Sequence, residues 1–164
     1  MASSLPIVRQ VAWLSLVPQL VVMAAMVALA AVLGFDNPFL AAALPYLFLV
    51  LVLRRAIPKN HRAGMKFFKQ ERFAEAVPEF QKSYDFFLEH RWLDNWRAVT
   101  ILSGSRISYR EMALLNLAFC LGQIGQRAQA LTAYKQALAE FPESKIAKAA
   151  IKMMDDSSLP EQVH

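Results

Sequence analysis

YLFLVLVLRRAIPKNHRAGMKFFK, residues 46–69, holds the boundary that divides this chain. Its first eight residues are apolar or aromatic, and its last sixteen carry six Lys or Arg and no acid. Towards the N-terminus, residues 10–53 contain a single charge, Asp36. Onward from Pro58, 27 of 107 residues are charged. The 56% hydrophobic content of the 164-residue chain is therefore an average over two unlike parts. One part suits lipid, and the other is long enough for one modest core in water.

Residues 11–33 carry no charge and include eleven Val or Leu. As a helix they would reach about 34 Å, against a hydrocarbon core of roughly 30 Å. Their Val and Leu favour insertion by about 3–7 kcal/mol, less the cost of Ser15, Pro18 and Gln19. Gly34, Asp36, Asn37 and Pro38 then read as a helix end and a new start: glycine closing, Asp36 or Asn37 capping, and proline at the first helical position. A second apolar run follows, reaching spanning length if Arg54 and Arg55 snorkel. The expectation is a two-helix transmembrane hairpin over residues 1–57, with spans at about 10–33 and 38–57. Ala28 and Ala30 have the spacing of a signal cleavage site, but the apolar stretch is long and a second run follows at once. A hairpin entering one leaflet and returning is the alternative, because the second run is short and holds Pro45.

The basic residues set orientation. The short turn has none, and residues 54–72 hold seven against Glu71 alone. The positive-inside rule puts both termini in the cytoplasm, and a bacterial inner membrane is the expected location. Arg54, Arg55 and Lys59 are the expected interface residues, with anionic lipid headgroups as partners. The net charge of +5 is mild and lacks aromatic interleaving, which argues against nucleic acid. Cys120 is the only cysteine and sits in an apolar run, the pattern of a buried thiol.

Residues 58–156 read as helices, rich in Ala, Leu, Glu, Lys, Gln and Phe without sustained alternation. Gly64, Phe67, Phe73, Ala76 and Phe80 form one pattern. Leu117, Ala118, Leu121, Gly125, Ala130, Tyr134, Ala137 and Pro142 form a second. Each has a small residue twelve positions before an alanine, and an aromatic four after it. This layout resembles the tetratricopeptide repeat: paired antiparallel helices, small residues at their crossing, aromatic fillers, and a closing proline. The resemblance covers about 58–90 and 111–143 and implies an all-α fold. Gly64 and Ala118 would permit close approach, Phe80 and Tyr134 would pack between repeats, and Gly125 would end a helix. Glu71 replaces the usual turn glycine, Leu88 the closing proline, and Pro78 is expected early in its helix. The two alanines are 54 residues apart, which leaves an insertion of about 91–108. A capping helix is expected at about 144–155, with Ile146, Ala149, Ala150 and Met153 inward, and residues 157–164 form a tail. Trp92 and Trp96 of the insertion either plug the end of the stack, lie at the membrane interface, or contact a partner or second copy.

No catalytic constellation, phosphate loop or metal-ligand spacing is evident, so neither enzyme chemistry nor a cofactor is expected. The resemblance implies binding of a protein or peptide ligand in a groove lined by the first helix of each pair. Carried over, that face comprises His61, Arg62, Met65, Phe68 and Lys69, then Leu115, Asn116, Phe119 and Gln123. The expected function is a membrane-anchored adaptor or scaffold. The alternative is a structural hairpin protein that self-associates as a homo-oligomer or shapes the bilayer.

Overall fold

The computed structural model describes residues 16–97 and 107–156. Among them are eight α-helices and no strand, so the described chain is all-α. It divides into two compact units: Met1–Ile57 with Trp92–Ser108, and Pro58–Arg91 with Tyr109–His164. The tail at 157–164 and residues 98–106 of the insertion lie outside the described residues.

In the first unit, α1 (Leu16–Val32) packs against α2 (Pro38–Ala56) across a tight turn. The start of the expected first span, residues 10–15, lies outside the described residues. Gly34 takes φ +80°, and the amides of Gly34 and Phe35 donate back to the carbonyls of Ala31 and Ala30. That pair of bonds is a left-handed helix close, which glycine enters without a Cβ clash. Asn37, not Asp36, caps α2: its Oδ1 accepts from the Leu40 amide at 3.0 Å, with Pro38 at the first position. The small Ala30 and Ala42 are the buried side chains of the two helices, whereas Leu20, Val32, Phe39, Leu44, Leu47 and Phe48 are more than half exposed. Close approach through small residues with large apolar groups outward inverts the arrangement of a water-soluble pair. One helix, α2, is long and apolar enough to cross a membrane; the described part of α1 is shorter. A short helix, α5 (Arg91–Asn95), begins the insertion. Trp92 in it and Trp96 just after it are 59% and 67% exposed, so they do not plug a core. Asp94 of the same helix is the buried one.

The second unit contains α3 (Lys59–Lys69), α4 (Phe73–Glu89), α6 (Tyr109–Gln123), α7 (Arg127–Glu140) and α8 (Lys145–Asp156). Each packs on the next in that order. The pairs α3–α4 and α6–α7 match at a 54-residue offset around their turns: α3 and α6 end at Lys69 and Gln123, and α4 and α7 begin at Phe73 and Arg127. Arg72 N bonds Phe67 O and Glu71 N bonds Phe68 O; Gln126 N bonds Leu121 O and Gly125 N bonds Gly122 O. Both first helices thus end in the same left-handed close, with Glu71 at φ +58° and Gly125 at +81°. Ala76 and its counterpart Ala130 have no exposed surface, and neither has Ala118, the counterpart of Gly64. A Cβ on Gly64 would meet the Phe80 ring at 2.8 Å, so only glycine admits that contact.

Phe80 packs against Gly64, His61 and Phe68 of its own pair and belongs to the core cluster that also holds Ala113, Leu114, Leu117 and Ala118 of α6. Two local expectations need correction. Pro78 is the sixth residue of α4, past the first turn, and so leaves the Ala74 carbonyl without its ladder donor. It is tolerated because it is exposed, where water replaces the lost donor. The capping helix α8 turns Ala147, Ala150, Ile151 and Met154 to the core, while Ile146, Ala149 and Met153 face out. Both stripes have helical spacing. At the start of α8 the Ala147 amide donates to Ser144 Oγ at 3.4 Å, and Ala147 has no exposed surface.

Candidate functional site

The two first helices, α3 and α6, carry the residues expected to line a groove. His61 and Leu115 do not line it: they are 7% and 6% exposed. The His61 ring sits edge-on between Phe80 and Tyr109, with Nδ1 3.5 Å from Ser83 Oγ, which is the environment of a packed core histidine. The next layer does bring the two helices together. Asn116 Nδ2 donates to Met65 Sδ at 3.6 Å. The Phe68 and Phe119 rings lie 5.4 Å apart, and both contact Phe73. These four groove residues are half-buried. Arg62, Lys69 and Gln123 are exposed. The surface is therefore an aromatic and thioether strip with polar edges, suited to contact rather than to chemistry.

Beside the strip, α3 has a cationic side. A concavity of about 670 Å³ runs along it, lined by Lys59, Arg62, Ala63, Met65, Lys66, Lys69 and Gln70. The spacing of its four basic residues, +3, +7 and +10 from Lys59, keeps them on one face of a helix. Helical period explains why α3 combines a core side and a charged side in eleven residues.

Sequence reading missed a polar cluster that ties the two pairs. Tyr84 of α4 donates to the Glu140 carboxylate of α7 and accepts from Gln136 Nε2 at 2.8 Å. Arg110 of α6 lies 3.8 Å from the other Glu140 oxygen and over the Phe141 ring. Burial, then the bond to Glu140, pushes the Tyr84 phenol up to about 12. The only advance signal was the i, i+4 spacing of Gln136 and Glu140, which is common on solvated helix faces. Burial also pushes the Cys120 thiol up to about 12, so it is inert at neutral pH. Among the described residues, no three His, Cys, Asp or Glu side chains gather as metal ligands.

Comparison with known proteins finds no matching family model, no matching curated protein and no matching solved structure. The functional reading therefore stands on the chain's own geometry.

Proposed function

We propose that this protein is a membrane-anchored adaptor of tetratricopeptide-repeat type. In this reading α1 and α2 form the membrane hairpin, and the two helix pairs hold a protein or peptide segment at the cytoplasmic face. The observation that carries it is the 54-residue correspondence of the two pairs, including matched turns and matched small residues at each crossing. Repeats of this kind stack to present their first helices as a shared surface. The strip of Met65, Phe68, Asn116 and Phe119 joins the two first helices in that manner.

The membrane part is supported by α2, which is apolar all round yet only 6% buried over its most apolar window. A core helix of that composition would be covered. Arg54 and Arg55 in its last turn favour the cytoplasmic side, as in a bacterial inner membrane. Trp92 and Trp96 belong to the same compact unit and are exposed, which suits the headgroup region.

Photocrosslinking in native membranes tests the adaptor reading. A photoreactive residue at Gln123, on the strip's edge, should give one discrete adduct that Asn116→Ala removes. The same probe at Lys135, exposed on α7, should not give it. Identical adducts at both positions would sink the reading. An adduct of twice the chain's own mass would instead favour self-association.

A further inference from the structure

We infer that the outward face of α3 is a docking surface for anionic lipid headgroups. This rests on the reading of α2 as a membrane helix. Lys59, Arg62, Lys66 and Lys69 fall within an arc of about 80° on the helix, and all four are exposed. The opposite side carries His61, Gly64 and Phe68 into the core of the unit, so docking would leave the fold undisturbed.

Among the described residues no acid pairs with Lys59, Lys66 or Lys69. The first acids of α4, Glu75 and Glu79, are taken by Arg72 and Lys82 at 2.5 and 2.6 Å.

Chain connectivity favours a lipid over an acidic protein segment. Only Ile57 and Pro58 separate α2 from α3. Three Cα steps reach at most about 11 Å, so a membrane at the end of α2 is always within reach of Lys59. A tethered surface competes at a high effective concentration that a free peptide lacks. Each basic residue at an anionic surface favours attachment roughly fivefold, so losing the three lysines should weaken docking on the order of 100-fold.

The full chain would be reconstituted with a spin label at Ala63→Cys, since buried Cys120 does not react. In bilayers containing phosphatidylglycerol the label should lose access to an aqueous nickel relaxant, compared with pure phosphatidylcholine. Access should return at about 1 M salt, where the Debye length is about 3 Å. It should also return in the triple variant Lys59→Gln, Lys66→Gln, Lys69→Gln with unchanged circular dichroism. Equal access in both lipids, in a chain that resists alkaline extraction, would overturn this inference alone and favour an acidic protein segment. Release by alkaline extraction would overturn the membrane reading and this inference together.

Discussion

Glu71 and Gly125 occupy the same place in the two pairs, at φ +58° and +81°. A side chain in that region costs roughly 1–2 kcal/mol, because Cβ crowds the following carbonyl, whereas glycine is free of it. The matched hydrogen bonds hold both turns in that conformation, so the cost at Glu71 is not relaxed away. Glu71→Gly should therefore stabilise the fold by about 0.5–1 kcal/mol, after the greater freedom of glycine in the unfolded chain is subtracted. By the same balance Gly125→Ala should destabilise it by about 0.5–1 kcal/mol. Nothing lies within 4 Å of a Cβ placed there, so the loss would be conformational rather than steric. Denaturant midpoints followed by helical circular dichroism measure both. A loss of stability in Glu71→Gly would show that the carboxylate, not the backbone, matters at this turn.

Between elements, the Tyr84–Glu140 bond joins α4 to α7 across 56 residues of sequence. Removing the phenol leaves a partly buried carboxylate and the Gln136 amide short of a partner, at about 1–2 kcal/mol. Tyr84→Phe should show that loss in the native chain and little of it in a Glu140→Ala background. Additive losses would place the role of Tyr84 in packing instead. Helix pairs, turn positions and the small residues at each crossing were legible, because period, glycine and alanine carry local signals. Which of two adjacent stripes of α8 faces inward was not legible, since Ile146 and Ala147 head equally good helical patterns. Nor was the burial of His61 and Leu115, because a repeat pattern assigns a face but not the depth at which a neighbour covers it. Tyr84, Arg110 and Glu140 were invisible for a related reason: long-range polar partners leave no spacing in a sequence.

At the scale of the whole molecule, the chain joins one part whose large apolar residues are exposed to another that buries its large apolar residues, Phe80, Phe87 and Leu114 among them. In water the first part would leave a long apolar helix uncovered, and the hydrophobic effect would drive it to aggregate. In lipid the same outward Leu and Phe side chains are in their proper solvent. Leu47, near the middle of α2 and 53% exposed, separates these situations. Leu47→Arg would remove apolar contact from the outer surface without touching the Ala42 crossing. At the centre of a spanning helix an arginine costs about 2.5–3.5 kcal/mol on insertion scales, a shift of roughly 70- to 400-fold in the inserted fraction. Leu47→Arg should therefore move the chain from the alkali-resistant membrane pellet toward the supernatant, while Arg54→Leu, at the snorkelling end, should not. Equal retention of both variants would mean that α2 does not cross the hydrocarbon core, and that its apolar surface is covered by protein.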